Sequence, residues 1–450
     1  MEKKDYSYIF WIVVHIAIGA AIFAVPFLSK IYGYLIVLVG LIYTVKASNR
    51  EHQALYVCAY IVGSEVLLRM TYGNPLHEFS KYGVIAFMFL AMFYRGFSKS
   101  ALPYWIFLLL LIPGLVISTQ VIDFNEQLRK SISFNISGPL CLGISALYMY
   151  NRRMSSDQLN KLLLIMGMPI VSTATYLIFY TPSVRDVVTG TASNFETSGG
   201  FGPNQVSTIL GLGMFIFFVR LMLFSKSKVM ILLNMILFVN LGYRGLVTFS
   251  RGGIITGMFM IAIFMFVIYS NLNMRGRFKF HTASILIAFM VAGIWLYSEN
   301  ETGGMINKRY ANEDGAGRAK KSQLSGREDI MRSDVEFFMD NPVFGVGVAK
   351  SAEMRGDLSG LRVAAHNEVT RMLSEHGTFG IVALLILLFT PLVLYINNKM
   401  HILMLCFLGF WLLTLNHAAM RVAAPAFVYA LSVLKIYRNE EDSIHREQTL

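Results

Sequence analysis

The feature that most constrains this chain is the recurrence, from end to end, of uninterrupted apolar runs close to the ~20 residues that an α-helix needs to span a bilayer. The 450 residues are 55% hydrophobic and only 15% charged, and their mean hydropathy is +0.55. A soluble chain of this length would alternate apolar and polar positions and carry more charge. A β-barrel would need short alternating strands, which these runs do not supply. The sequence therefore predicts an all-α polytopic membrane protein.

Fourteen such runs are recognisable, of which the short second, third and thirteenth could be re-entrant, so the prediction is 12–14 transmembrane helices. The domain prediction has four parts: residues 1–298 with helices 1–11, a helical outer segment at 299–376, helices 12–14 at 377–436, and a tail at 437–450. The predicted spans are 8–27, 31–46, 54–68, 82–94, 101–122, 132–150, 161–181, 203–223, 228–248, 252–270, 282–298, 377–397, 401–415 and 421–436.

The basic residues give the orientation of these spans. With the N-terminus inside, the inner segments carry 19 lysines and arginines and the short outer segments carry nine, as the positive-inside rule expects. The long segment at 299–376 has 11 basic and 13 acidic residues, so its net charge is −2. The net charge of +12 is therefore a topology signal, and nucleic acid is not an expected partner. Both termini are predicted to be cytoplasmic, and the long segment is predicted to face outward.

The long outer segment reads as folded structure. "SGREDIMRSDVEFFMD" predicts a helix that opens with a capping box of Ser325 and Glu328 and stops before Asn341. "NPVFGVGVAK" predicts a glycine-rich turn. "AAHNEVTRMLSEHG" then predicts a second helix, with Arg371 and Glu375 as an i,i+4 pair.

Two arginines favour an anion on the outer side. Arg251 opens an inward-running helix, where unpaired backbone N–H groups attract negative charge. Gly252 and Gly253 remove side chains that would hold a ligand away, and arginine offers a planar fork to phosphate. Arg244 lies in apolar sequence, where a cation needs a partner, and no acid occurs between Ile231 and Leu296. The alternative is that these arginines snorkel to lipid head groups.

Further polar candidates occur on the same predicted side. Asn204 follows Pro203 at the outer start of the eighth span, after a glycine-rich approach. His366, next to Asn367, stands just ahead of a predicted helix and can accept a proton near neutral pH. The alternative is a structural histidine, and His376 is the nearest rival. No outward-facing acids have the spacing of a metal site, and no metal is predicted.

These motifs occur in an informative order. "GFGPNQ" leads into a mid-chain span, "SRGG" opens a late span, and "SGRE…NPVFGVGV" and "AHNEVTRMLSEHGTFGI" follow in the outer segment. In this order and layout the chain resembles the O-antigen ligase and O-antigen polymerase superfamily. The resemblance implies a GT-C-like glycosyltransferase of the bacterial inner membrane that uses an undecaprenyl-pyrophosphate-linked glycan at the periplasmic face. It implies no metal ion and no cofactor.

The resemblance also implies roles for single residues. By motif, the family's histidine falls on His366, and its arginines fall on Arg251 and Arg327. His366 and Arg327 are then predicted to be catalytic. Arg251 and Arg244, the latter from position alone, are predicted to bind pyrophosphate. Asn204 and Asn367 are predicted to bind substrate.

Within this resemblance the reaction stays open. Transfer to lipid A-core by a ligase is preferred, and a repeat-unit polymerase is the nearest alternative. Transfer to protein hydroxyls is a third, and a polysaccharide transporter is a fourth, although no internal repeat supports it. The chain departs from the family pattern at Thr370 and Arg371, where an aromatic or aliphatic residue is common, and this leaves the acceptor class open.

Overall fold

The computed structural model describes residues 3–121, 126–320, 327–359 and 365–437. Nearly all regular structure in these ranges is helical. The helices are α1 (Lys3–Ala24), α2 (Leu28–Lys46), α3 (Gln53–Met70), α4 (Phe79–Arg95), α5 (Leu102–Leu110), α6 (Ile112–Val121), α7 (Glu126–Met149), α8 (Ser156–Tyr180), α9 (Val184–Val187), α10 (Pro203–Leu223), α11 (Lys228–Leu246), α12 (Arg251–Ser270), α13 (Met274–Glu301), α14 (Met305–Tyr310), α15 (Arg327–Asp340), α16 (Lys350–Ser359), α17 (Glu368–Ile396), α18 (Met404–Thr414) and α19 (Ala424–Leu431). Short 3₁₀ turns lie at Glu196–Ser198 and Ala418–Arg421, and β1 (Arg153–Ser155) pairs in parallel with β2 (Lys435–Tyr437).

The prediction of an all-α polytopic membrane protein is confirmed. Within the described ranges, ten helical segments are long and apolar enough to cross a membrane. They are α1, α2, α5 together with α6, α7, α8, α10, α11, α12, α13 and α17. The remaining predicted spans fall on α3, α4, α18 and α19, and α18 has only 11 residues. The total of 12–14 spans stays a prediction.

The chain divides into two compact units. Unit 1 comprises Met1–Ile42, Ala59–His77 and Asn160–Gln323, and unit 2 comprises Tyr43–Cys58, Glu78–Leu159 and Leu324–Leu450. The segment predicted at 299–376 therefore contributes its first part to unit 1 and its remainder to unit 2.

In unit 1, α10 is the central helix and packs closely against α11 and α12. Glycines allow this approach: a Cβ on Gly253 would lie 2.3 Å from backbone atoms of Ser207 and Thr208. Gly253 therefore serves helix packing, a role that the sequence reading, which assigned it to ligand access, did not foresee. Pro203 occupies the first turn of α10, as predicted.

An apolar cluster in unit 1 fastens two predicted outer segments together. Its buried members come from α9 and the residue after it, the turn between α11 and α12, and α14: Val184, Val188, Val247, Phe249 and Ile306. Because these side chains share one core, α9 and α14 are both held against the turn that precedes α12. The polar groups on these stretches are consequently fixed in relation to Arg251.

In unit 2, the two predicted helices of the outer segment are present as α15 and α17, and α16, which was not predicted, lies between the glycine-rich turn and α17. α15 ends at Asp340, before Asn341-Pro342 as predicted, whereas Ser325 of the predicted capping box lies outside the described residues. α17 kinks at Gly377, whose φ is 59°. A Cβ on Gly377 would lie 2.6 Å from the backbone of Val343 and Gly345. The absence of a side chain at the kink therefore lets the glycine-rich turn pack directly against α17. The Val346 amide donates to the Ser374 carbonyl at 2.8 Å, which fixes this contact.

Candidate functional site

The start of α12 is a polar corner of unit 1. α12 begins at Arg251, and Ser250, the residue before it, has an extended backbone. The Ser250 hydroxyl donates to Asn204 Oδ1 at 2.7 Å, and the Ser250 carbonyl accepts from the Ser207 hydroxyl at 2.8 Å. The structure therefore brings Asn204 and the beginning of the Arg251 helix together. Asn204 uses its side-chain oxygen to hold that corner.

Arg309, which sequence reasoning did not single out, joins this corner. Its Nε donates to the Phe249 carbonyl at 2.9 Å, and its Nη2 donates to the Ser193 hydroxyl at 3.3 Å. Arg251 Nη1 in turn donates to the Arg309 carbonyl at 3.5 Å. Phe249 has a positive φ of 57°, so the turn before α12 is sharp. Two guanidinium groups are thus anchored to the same few residues.

Lys320 completes a cationic group of three, Arg251, Arg309 and Lys320, which we call the α12 cation cluster. The Lys320 ammonium donates to the Thr191 hydroxyl at 2.8 Å. Burial lowers the pKa of Lys320, and the positive charges of Arg309 and Arg251 lower it further. The same two arginines act on Tyr310, although burial is the larger effect there and raises the pKa of Tyr310 to about 12. Three cations therefore lie within electrostatic reach of one another.

Arg244 lies in α11 of the same unit and is 5% exposed. Its Nη1 donates to the Thr181 carbonyl at 3.2 Å, and its guanidinium lies 5.6 Å from the centre of the Tyr243 ring. Within the described residues its Nε has no hydrogen-bond partner, and it forms no ion pair. A buried guanidinium in this state favours an anionic ligand.

In unit 2, His366 and Asn367 precede α17 directly. Asn367 is the N-cap: its Oδ1 accepts from the Val369 amide at 2.8 Å and from the Thr370 amide at 3.2 Å. Its Nδ2 donates to Asn416 Oδ1 at 2.9 Å. Both ends of the Asn367 amide therefore have protein partners, and its most direct role is to fix the backbone beside half-buried His366.

The first two turns of α17 carry the predicted Arg371–Glu375 pair, which is confirmed at 2.6 Å. Arg371 also contacts Glu368 at 2.6 Å, so it bridges two carboxylates. Glu375 is 1% exposed and accepts from the Ala349 amide at 3.0 Å. This ionic bridge links α17 to the glycine-rich turn and is well satisfied, as a buried charge must be.

A second buried network crosses from α15 to α17. Asp334 is fully buried and forms an ion pair with Arg355 of α16. Thr370 Oγ1 donates to Asp334 Oδ2 at 2.9 Å, and Ser374 Oγ donates to Asp334 Oδ1 at 3.4 Å. Burial raises the pKa of Asp334, while Arg355 and these hydroxyls act in the opposite direction. Three helices of the outer segment thus meet at one carboxylate.

A small cavity in unit 2 is lined in part by Ala365, the residue before His366. Its polar lining includes Glu368, Arg371 and Arg421. The Arg421 guanidinium lies 5.6 Å from the centre of the Phe134 ring, which also lines the cavity. The cavity wall therefore combines charged side chains with an aromatic ring, and Arg421 and Phe134 are placed for a cation–π contact.

His376, the rival candidate, lies in the interior of unit 2 and is 1% exposed. Within the described residues neither ring nitrogen has a hydrogen-bond partner, and the ring packs against Gly114, where a Cβ would lie 2.5 Å from Nδ1. This tight apolar packing favours a structural role for His376 over a catalytic one.

The structure thus groups the predicted residues into two sets. Asn204, Arg244 and Arg251 belong to unit 1, and His366 and Asn367 belong to unit 2. Arg327 begins α15, but its side chain lies outside the described part of the chain. The prediction that His366 and the arginines act on one substrate stays a prediction. Arg309 and Lys320 were missed because the segment's mixed charges sum to nearly zero, which hides the cations that folding brings together.

Comparison with protein families places part of this chain in a known family model. Residues 236–385 match the family model described as O-antigen ligase. The match confirms the resemblance to the O-antigen ligase and O-antigen polymerase superfamily, and it contains Arg244, Arg251, Arg327 and His366. Asn204 lies outside it. No curated protein matches the chain.

Proposed function

We propose that this chain, with its O-antigen ligase match at residues 236–385, is a membrane glycosyltransferase that moves a glycan from undecaprenyl pyrophosphate to an acceptor hydroxyl at the periplasmic face of the inner membrane. Lipid A-core is the preferred acceptor, which makes the protein an O-antigen ligase. The observation that carries the proposal is the concentration of cations at the start of α12, inside the matched residues.

The donor side of the proposal rests on charge. The start of α12 offers unpaired backbone N–H groups together with the Arg251 guanidinium, a combination that favours phosphate. Arg244 adds a buried guanidinium whose Nε has no partner within the described residues. Fixed cations of this kind can offset the negative charge that develops on a pyrophosphate leaving group. In this proposal Arg327 supplements them from the start of α15.

The acceptor side rests on His366. The Asn367 cap fixes the backbone next to this histidine, and the two networks on α17 fix the helix that follows. A histidine held in this way can take a proton from an attacking hydroxyl near neutral pH. The charged side chains of Glu368 and Arg421, which line the small cavity beside Ala365, are available to contact polar groups of the acceptor.

The proposed reaction is a single displacement. The acceptor oxygen attacks the anomeric carbon and its proton passes to His366, while the bond from that carbon to the pyrophosphate oxygen breaks. The electron pair of this bond stays on undecaprenyl pyrophosphate, where the arginines offset it. Attack from the face opposite the leaving group inverts the anomeric centre.

Cells that lack the protein distinguish the candidate reactions. Long glycans that accumulate on undecaprenyl pyrophosphate, with bare lipid A-core, would identify a ligase. Lipid A-core capped by single repeat units would identify a polymerase. Lipopolysaccharide and a lipid-linked pool identical to those of complemented cells would contradict both and would direct attention to protein acceptors or to export.

A further inference from the structure

The segment from α14 to Lys320 belongs to unit 1 and is tied to the start of α12. We propose that Arg309 and Lys320 of this segment form, with Arg251, one binding site for a diphosphate ester. In the context of the proposed function, on which this inference rests, the ester is the pyrophosphate of the lipid-linked donor. Arg309 and Lys320 are then donor-binding residues that lie outside the motifs.

Arg309 is placed by contacts in both directions. Its side chain reaches the Phe249 carbonyl at 2.9 Å, two residues before Arg251, and its own carbonyl accepts from Arg251 at 3.5 Å. Ile306, three residues earlier, is fully buried in the cluster with Phe249. Arg309 therefore cannot move independently of the turn that starts α12.

Lys320 is placed by a tight turn. Asp314 Oδ1 accepts from the amides of Ala316 and Arg318, both at 2.9 Å, which closes the turn. The Lys320 amide then donates to the Asn312 carbonyl at 2.9 Å. The chain consequently returns alongside itself, and the Lys320 ammonium reaches Thr191 on the neighbouring segment.

The electrostatic arrangement favours an anion. Lys320 lies within the influence of Arg309 and Arg251, and such like charges repel one another. Within the described residues the Lys320 ammonium forms no ion pair, and it donates to the neutral hydroxyl of Thr191. Asp314 acts on the pKa of Lys320 in the opposite direction to the two arginines, but the net effect is a decrease. Its ammonium has three donors, of which Thr191 uses one. An anion placed among the three side chains would therefore gain attraction from each and relieve their mutual repulsion.

The mixture of side chains suits a diphosphate. An arginine guanidinium carries five N–H donors in a planar arrangement that suits phosphoryl oxygens, and a lysine adds a compact point charge. A diphosphate also carries its negative charge on two phosphoryl groups. Three cations can therefore neutralise a diphosphate more evenly than they can a single phosphate.

The test is binding of inorganic pyrophosphate to the purified full-length protein in nanodiscs, measured by calorimetry. We expect Lys320→Met to weaken binding roughly tenfold or more, since a charged hydrogen bond is lost, and Lys320→Arg to stay within about threefold of the wild type. The matched control is Arg318→Met on the same turn, because Arg318 is 81% exposed and its pair with Asp314 contributes little. Arg309→Lys tests the second residue while keeping its charge, and we expect intermediate binding.

The outcomes separate this inference from the proposed function. Pyrophosphate affinity in Lys320→Met equal to that of the wild type, or lowered equally by Arg318→Met, would overturn the inference even if glycan transfer is observed. Pyrophosphate binding that depends on Lys320 in a protein that transfers no glycan would overturn the proposed function and leave the anion site standing. Where transfer is observed, Lys320→Met should raise the KM for the donor and leave the KM for the acceptor unchanged.

Discussion

The Thr370 hydroxyl donates a hydrogen bond to the buried carboxylate of Asp334 at 2.9 Å. This contact gives a physical reason for the departure from the family pattern at residues 370 and 371. Thr370 satisfies one carboxylate, and its neighbour Arg371 satisfies two others, Glu368 and Glu375. Polar side chains at these positions therefore hold α17 to the rest of unit 2, next to His366.

The Asp334–Arg355 ion pair is expected to be essential for stability. Asp334→Asn would leave the Arg355 guanidinium, 6% exposed, without its counter-charge, and breaking such a buried pair costs about 3–5 kcal/mol. Thermal unfolding of the purified protein should show a clear fall in Tm. The double variant Asp334→Asn, Arg355→Met should recover part of the loss because neither position then carries a buried charge. A double variant that is less stable than both single variants would contradict this account.

Two substitutions of Asn367 test whether its side chain mainly caps α17 or mainly binds substrate. Asn367→Ala removes the acceptor for the Val369 and Thr370 amides and should cost about 1 kcal/mol of stability. Asn367→Ser keeps a capping oxygen and should restore most of that stability. If the cap is the main role, transfer should recover in Asn367→Ser together with Tm. A stable Asn367→Ser protein with no transfer would instead assign the side chain to substrate binding.

We expect transfer to require the bidentate hydrogen bonds of the Arg251 guanidinium as well as its positive charge. We expect Arg251→Ala to lower transfer by about 10²–10³-fold, the scale for removing one stabilising donor from a developing anion. Arg251→Lys should fall between the wild type and Arg251→Ala, because lysine cannot form the bidentate contact. The assay is glycan transfer by membranes with equal protein levels. Normal transfer in Arg251→Ala would contradict the assignment of Arg251 to pyrophosphate binding.

Sequence patterns predicted what depends on local chemistry. The helix starts at Pro203 and Arg251, the end of α15 before Asn341, and the Arg371–Glu375 pair all follow from capping, proline geometry and helical spacing. These features involve residues only a few positions apart, so one stretch of sequence contains all the information.

Contacts between distant residues could not be predicted in this way. Asp334 and Thr370 are 36 positions apart, and Lys320 and Thr191 are 129 positions apart. Each contact depends on how the helices pack. Arg309 and Lys320 also gave no signal of their own, because acidic residues such as Glu313 and Asp314 interleave with them in the sequence.

His366 should affect the chemical step more than donor binding. We expect His366→Gln to lower kcat by about 10²–10⁴-fold, the usual contribution of a general base, with little change in the KM for the donor. His376→Gln provides the comparison, since this buried ring packs against Gly114. We expect His376→Gln to lower Tm and to spare kcat in the protein that remains folded. If His376→Gln lost kcat and His366→Gln did not, His376 would be the general base and His366 the structural histidine.

Lys320 should make pyrophosphate binding sensitive to pH. Burial and the charges of Arg309 and Arg251 lower the pKa of Lys320, whereas Asp314 acts in the opposite direction, and the net effect is a decrease. As pH rises through this lowered pKa, Lys320 loses its proton and its charge, so pyrophosphate affinity should fall at a lower pH than an ordinary lysine would allow. Lys320→Arg stays charged over this range and should remove the additional fall. Because both proteins meet the same titration of the ligand, the difference between their calorimetric pH profiles reports Lys320 alone. Superimposable profiles would show that Lys320 does not contact the anion.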